Sequence, residues 1–317
     1  MSDLVTFGES MLRYSPPGHH RLETTETLDV AVAGAESNIA TAASRLGTDA
    51  VWISKLPDSP LGRRVVSFHR SVGLKTDVVW SDEGRLGTYY IEFGGEPRGT
   101  SVIYDREDAA VTTATPAELP TDRIESADIF ATTGITPALS ATLNETTAKL
   151  LDIAQQSGTR TVFDVNYRSK LWDRETASET ISSLFPSIDV LMTAERDAKS
   201  VLGISGDRET IARELADVGN FETVIVTRGE WGAVAVADGA YFEQRSFDTE
   251  TADPIGTGDA FLGGYLAKSI EGESVATSLE WGAATAALKR TIPGDLAILT
   301  RDAVERVVQA GTGGIQR

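Results

Sequence analysis

Asp253-Pro254-Ile255-Gly256-Thr257-Gly258-Asp259-Ala260-Phe261 is the stretch that organises the reading of this chain. Two glycines flank one small residue, an aspartate follows, and the chain runs on through Leu262-Gly263-Gly264-Tyr265-Leu266-Ala267-Lys268. The apolar positions of that continuation have helical spacing, which predicts a loop turning into a helix at the glycines. A helix start carries unpaired N–H groups and the positive end of the backbone dipole, so it favours an anion. Glycines let the main chain approach phosphate oxygens with no Cβ in the way. Asp259 is out of place in a plain anion site, because its carboxylate repels a phosphate. It makes sense as a base that takes a proton from a hydroxyl attacking phosphorus. An ordinary loop with an acidic helix start fits the same four residues equally well.

Two commoner phosphate motifs are excluded. A P-loop ends in Gly-Lys-Ser/Thr, and that triplet is nowhere in the chain. The dinucleotide fingerprint needs a third glycine where Phe261 stands, and it follows an early strand rather than lying this late.

At 317 residues with 41% hydrophobic content, the chain has material for one large α/β domain or one domain with an appendage. No apolar run approaches the ~18 residues of a membrane span, and Met1-Ser2-Asp3-Leu4 lacks signal-peptide character. With no cysteine there is neither a disulfide framework nor a thiolate metal site. His19, His20 and His69 have no metal-ligand spacing. A cytoplasmic protein is the expectation. Asp and Glu number 47 against 29 Lys and Arg, a net charge of −18 that repels nucleic acid and anionic membranes. Only seven of the basic residues are lysines. An acidic, lysine-poor surface keeps a protein soluble where salt screens charge within a few Å, so a salt-loaded cytoplasm is expected.

Along the chain, Leu4 to Gly8 predicts a first strand, and Glu9 to Pro17 alternates and then breaks. Strands are expected at 28–32, 49–54, 87–93, 100–104, 128–132, 161–165, 190–192 and 222–227. Gly34-Ala35-Glu36-Ser37-Asn38 precedes a helix over 39–47, whose small residues imply close packing, and a second helix is expected over 61–72. The strands at 28–32, 87–93 and 100–104 lack long intervening helices, which predicts a small separate sheet. Elsewhere strands and helices alternate, the pattern of a mostly parallel sheet covered by helices on both faces. Thr312-Gly313-Gly314 reads as a frayed tail. Functional side chains belong at the carboxyl ends of such strands. Three stretches fall there: Asp164-Val165-Asn166-Tyr167-Arg168, Thr227-Arg228-Gly229-Glu230-Trp231-Gly232, and the 253–259 loop. Arg168 suits a carboxylate or phosphate, and taken alone it also suits an ordinary surface position.

Together these pieces resemble the ribokinase-like (PfkB) carbohydrate kinases. Asp253-x-x-Gly256-Thr257-Gly258-Asp259 is similar to that family's Asp-Thr-x-Gly-Ala-Gly-Asp signature. Gly34 and Asn38 match its early substrate motif, and Thr227-Arg228-Gly229 resembles its nucleotide-binding Thr-x-Gly. The likeness runs from Phe7-Gly8-Glu9 to Pro293-Gly294-Asp295. It is strongest to the 2-keto-3-deoxygluconate kinase branch, through Leu12 to Pro17, Gly34 to Asn38, Tyr104-Asp105-Arg106, Asp164-x-Asn166-Tyr167-Arg168 with Leu171-Trp172, and Leu288 to Asp295. Fructokinases share the Asp-x-Asn-x-Arg run, so that piece is less specific than Tyr-Asp-Arg.

The resemblance implies a single ribokinase-like domain over 1–317, with a β lid from about 10–33 and 86–106 that also makes a homo-oligomer contact. It implies ATP, Mg2+ and K+ as cofactors and phosphorylation of 2-keto-3-deoxygluconate on its 6-hydroxyl, an Entner–Doudoroff-type step. Asp259 is then the base, with Gly256, Thr257 and Gly258 as the anion hole. Gly34, Asn38, Tyr90, Tyr104, Arg106, Arg168 and Asp295 hold the sugar acid. Asn166, Arg168, Thr227, Gly229, Gly232 and the 256–258 loop hold the nucleotide. Two arginines in the sugar pocket argue against a neutral sugar, which leaves them unpaired. The chain departs from the family where Ala194-Glu195-Arg196-Asp197 replaces Asn-x-x-Glu, so no metal ligands are assigned. It departs again at Thr257, where alanine is usual and where a hydroxyl is available to a phosphate. A fructokinase and a non-catalytic sugar-binding regulator are the competing expectations.

Overall fold

The computed structural model describes residues 2–311; the Thr312-Gly313-Gly314 stretch lies outside the described residues. Thirteen strands form two sheets. They are β1 (Leu4–Phe7), β2 (Met11–Ser15), β3 (Asp29–Ala33), β4 (Ala50–Pro57), β5 (Lys75–Ser81), β6 (Thr88–Phe93) and β7 (Thr100–Asp105). Then follow β8 (Ile129–Thr133), β9 (Arg160–Asp164), β10 (Val190–Ala194), β11 (Thr223–Thr227), β12 (Ala233–Ala237) and β13 (Ala240–Gln244).

The large sheet has the order β13-β12-β11-β10-β9-β8-β1-β4-β5. From β11 to β5 every pairing is parallel. Parallel strands are covered on both faces, which is why runs such as Leu-Val-Thr-Phe and Thr-Val-Ile-Val-Thr are nearly continuous in apolar and small residues. One core holds Leu4, Trp52, Ile129 and Val162. The other, across the sheet, holds Val5, Phe7, Phe130 and Phe163. The chain leaves β1 outward through β4 and β5, then returns to lay β8 on the other side of β1. That reversal opens a crevice beyond the strands' carboxyl ends, the usual ligand position in such sheets.

The small sheet has the order β3-β2-β6-β7, so the alternating Met11–Ser15 segment joins the three strands expected there. Its inner face carries Met11, Ala33, Tyr89 and Ile91, packed with Tyr104 and with Ile255 from the phosphate loop. Three strands of the large sheet were not anticipated. β5 is an edge strand, half exposed, and lacks a continuous apolar run. β12 and β13 form an antiparallel hairpin at the opposite edge, turned by Asp238 and Gly239, both at positive φ.

The first helix, α1, spans Ala35–Arg45 and starts four residues earlier than its spacing predicts, with Gly34 as its N-cap. Glu36 and Asn38 are therefore in its first turns. The small residues have the expected consequence. α1 lies so close to the Thr257–Ile270 helix that a Cβ on Gly263 would come 2.5 Å from the Ala42 methyl. The early substrate motif and the phosphate loop thus sit on two helices in direct contact.

Candidate active site

Gly256 caps the Thr257–Ile270 helix at φ 77°, in the left-handed region. A Cβ there would also overlap the Asp295 carbonyl oxygen, so both conformation and packing require glycine. The Gly258 and Asp259 amides have no backbone acceptor among the described residues. A Cβ on Gly258 would meet nothing within 4 Å, so the space above these amides is open cavity, shaped for an oxyanion. The Thr257 hydroxyl turns back to donate to the Pro254 carbonyl at 2.6 Å instead of pointing toward that space. Behind the loop, Asp253 accepts from the Ile255 and Gly294 amides at 3.0 Å each. Lys289 is fully buried and donates to the Asp253 carbonyl at 3.0 Å and the Ile292 carbonyl at 3.3 Å.

Asp259 is 8% exposed, and its Oδ2 accepts the Asn38 side-chain amide at 2.7 Å. Burial pushes its carboxyl up to about 6, against the opposing effects of the Asn38 bond and the Arg168 charge. At neutral pH it is a mostly ionised carboxylate with one oxygen fixed and the other free, the state a general base needs. Asn38 thus braces Asp259, and its Oδ1 is buried without a partner.

Asp259 opens into a cavity of about 330 Å³ between the small sheet and the large one. Gly34, Asn38, Tyr104, Arg106, Arg168 and Asp295, expected against the sugar acid, line it, and so does Asn166, which was expected against the nucleotide. Tyr90 does not. Neighbouring side chains alternate across a strand, and β6 turns Tyr89 and Ile91 to the cavity. Tyr90 faces outward and stacks on Tyr14 with ring centroids 5.3 Å apart. The expectation of Tyr90 on this cavity is corrected: the β6 tyrosine that lines it is Tyr89.

The two arginines also differ. Arg106 is paired with the buried carboxylate of Glu9, a residue the sequence reading left without a role. Arg168 has no carboxylate partner among the described residues. The expectation that both would stand unpaired is corrected: Glu9 satisfies one, and only Arg168 offers a free guanidinium. Asp295 is engaged as well. Its Oδ1 accepts from Arg13 at 2.5 Å and its Oδ2 from Tyr89 at 2.6 Å. Arg13 also donates to Asp253 at 2.9 Å, so a single buried arginine of the small sheet joins both loops of the large one.

A second cavity, of about 590 Å³, adjoins the first and shares Thr257, Gly258 and Thr227 with it. Thr227, Gly229 and Gly232 line it as expected. Asn166 and Arg168 lie on the smaller cavity only. Phe261, Ala283, Ala286 and Ala287 give the larger cavity an apolar wall, with Arg228 and Arg290 as cations. The three alanines had no local motif to mark them. An apolar slot beside cations and bare amides matches a purine nucleotide with its phosphates over the loop. Among the described residues no cluster of three or more His, Cys, Asp or Glu is placed to hold a metal. At the departing Ala194–Asp197 motif, Arg196 is on Asp197 at 3.0 Å and Lys199 on Glu195 at 2.5 Å. A Mg2+ ion carried on phosphate oxygens and water, with few protein carboxylates, fits that donor set.

A 2-dehydro-3-deoxygalactonokinase of Haloferax volcanii is 58% identical over 316 residues, covering 100% of this chain and 99% of its own. A crystal structure of 2-dehydro-3-deoxygluconokinase from Thermotoga maritima superposes with a TM-score of 0.91 at 34% identity, covering 96% of this chain and 98% of that one. A fructokinase with bound ATP from Xylella fastidiosa shares the fold, with a TM-score of 0.86 at 21% identity over 98% of this chain and 99% of its own. A profile of the pfkB family carbohydrate kinases matches residues 1–300, and the chain belongs to the pfkB family of carbohydrate kinases.

Proposed function

We propose that this kinase transfers the terminal phosphoryl group of ATP to the 6-hydroxyl of a 2-keto-3-deoxy sugar acid. The substrates named are 2-keto-3-deoxygluconate and its 4-epimer, 2-keto-3-deoxygalactonate. The observation that carries this reading is the unpaired Arg168 guanidinium on the same cavity as Asp259. A carboxylate at one end of the substrate satisfies Arg168, while the hydroxyl at the other end reaches the base. A neutral sugar such as fructose offers the Arg168 guanidinium no carboxylate to pair with. The relative from Haloferax volcanii supports the galactonate epimer and the Thermotoga maritima structure the gluconate one.

In the reaction, the free oxygen of Asp259 takes the proton of the 6-hydroxyl as the sugar's 6-oxygen attacks the terminal phosphorus of ATP; the bond from that phosphorus to the β–γ bridging oxygen breaks, and ADP leaves with the bridging oxygen. The Gly258 and Asp259 amides and the helix dipole hold the charge that develops on the phosphoryl oxygens. When bound, Mg2+ supplies further charge neutralisation on the nucleotide phosphates. The Lys289 ammonium already provides a fixed positive charge behind the loop, so K+ is assigned no site here. The small sheet acts as a lid that shuts out water, held down by Arg13 and Tyr89.

The outer face of that lid presents Val30, Tyr14, Tyr90 and Ile103 in one cross-strand row, with Ile103 54% exposed. In this reading a second copy covers that row, and the enzyme works in the cytoplasm beside its ATP supply. The test is a coupled ADP-release assay with each epimer, with fructose and with no sugar. Turnover of a 2-keto-3-deoxy acid well above fructose is expected. Preference for fructose would establish a fructokinase, and no sugar-dependent turnover at all would establish a binding protein.

A further inference from the structure

Glu36 lies in the first turn of α1, is 1% exposed, and lines the smaller cavity. Its two carboxyl oxygens are in unlike positions. Oε1 accepts from the Thr133 amide at 3.1 Å, the Thr133 hydroxyl at 2.8 Å and the Thr136 hydroxyl at 2.7 Å. Three donors saturate one carboxyl oxygen. Oε2 has no donor among the described residues, yet it is not among the polar atoms sealed away from the surface. A Cβ on Gly8 would overlap the carboxyl group, so the glycine that follows β1 makes room for this side chain.

Such an arrangement is costly if it is only structural. A carboxylate taken out of water needs its remaining lone pairs filled, and an unfilled one weighs against folding. Burial, with the Asp259 charge as a lesser contribution, pushes the Glu36 carboxyl up to about 7. An amide or hydroxyl side chain bridging α1 to β8 through the threonines would serve the fold without that cost. The bare oxygen belongs to the surface that receives the sugar, and it is close enough to Asp259 for their charges to interact.

We propose that Glu36 is a specificity-determining residue that touches the substrate, its Oε2 accepting a hydrogen bond from a non-reacting hydroxyl of the sugar chain. This inference rests on the sugar-acid reading above. The two candidate substrates differ only in the configuration of the 4-hydroxyl, so an acceptor fixed by three donors on its partner oxygen is suited to discriminate between them. A hydroxyl that reaches Oε2 fills the empty position; its epimer leaves both groups short of a partner.

The test uses the full-length kinase and its Glu36→Gln and Glu36→Ala variants with both epimers. Gln keeps the shape and the Oε1 acceptor but replaces Oε2 with a donor. A rise of about tenfold or more in sugar KM, as for one lost bond to a charged group, is expected with ATP KM unchanged. The ratio of kcat/KM between the epimers should move with it. Sugar KM and epimer ratio both within about twofold of wild type, in variants with wild-type melting temperature, would overturn the proposal. If the variants do not fold, the wild-type Glu36 carboxyl is followed by 13C NMR during titration with sugar and no nucleotide. A resonance that shifts supports the contact, and one that stays fixed at saturation refutes it. A wild-type enzyme inactive on both epimers would overturn the sugar-acid reading instead, and the same comparison on whichever sugar reacts would then decide the role of Glu36.

Discussion

The side-chain amide of Asn38 donates to Oδ2 of Asp259 at 2.7 Å, joining residues 221 positions apart. The contact depends on the close packing of α1 on the Thr257–Ile270 helix, which the small residues of both allow. It holds the carboxylate in one orientation, leaves one oxygen for the incoming hydroxyl, and favours the ionised form.

Replacing Asp259 with Asn removes the base while keeping its size. Turnover should fall by about 100-fold or more, the usual scale for a lost general base, with nucleotide affinity little changed. Near-normal kcat in this variant would take Asp259 out of the mechanism.

Asn38→Ala tests the donor. A base must be deprotonated to act, so wild-type kcat should fall as pH drops through about 6, the value to which Asp259 is raised. The Asn38 bond lowers that value; without it the carboxyl takes up its proton at higher pH, and the acidic limb of the kcat profile should move upward. A pH–rate profile of the variant with its limb unmoved would show that Asn38 does not tune the base.

The two arginines should respond differently. Arg168→Ala should raise the apparent KM for the sugar acid by about tenfold or more, because it is the unpaired cation of the pocket. Arg106→Ala strips the buried Glu9 of its partner, so its main cost should be to stability, on the order of 3 kcal/mol. Adding Glu9→Gln should recover part of that loss. Denaturant melts and steady-state kinetics on the four proteins separate the roles; a larger KM effect at Arg106 than at Arg168 would reverse the assignment.

Salt provides the fourth prediction. With a net charge of −18 and seven lysines, surface carboxylates repel one another across a Debye length of about 30 Å at 0.01 M salt, shrinking to about 3 Å at 1 M. The melting temperature should rise steeply up to a few tenths molar KCl (about that range, from screening). A shallower rise toward about 2 M would come from salting-out of apolar surface. A melting temperature that is flat or falls across the series would leave the acidic surface without a physical rationale.

The phosphate loop was legible in the sequence because its chemistry is local. Glycines two apart, an aspartate next, and a helix immediately after are compatible with bare amides beside a carboxylate, and the fold then opens that loop onto two cavities. The parallel sheet was legible for a similar reason, since doubly covered strands must be apolar throughout. Three things were decided only by tertiary structure. Tyr89 and Tyr90 are neighbours on one strand, and which of them meets the sugar depends on which face of the small sheet turns inward, a choice that packing on Ile255 makes. Glu9 and Arg106 are 97 positions apart, and no local pattern shows that one cation of the pocket is already neutralised. Glu36 lies ahead of the helix that the spacing predicts, and no local pattern shows that three donors from β8 and its following turn meet one of its oxygens while the other is left to the cavity. Spacing along a chain determines what a segment presents. The partner it meets is determined by the whole fold, because charge and hydrogen bonding are satisfied in space and not in sequence.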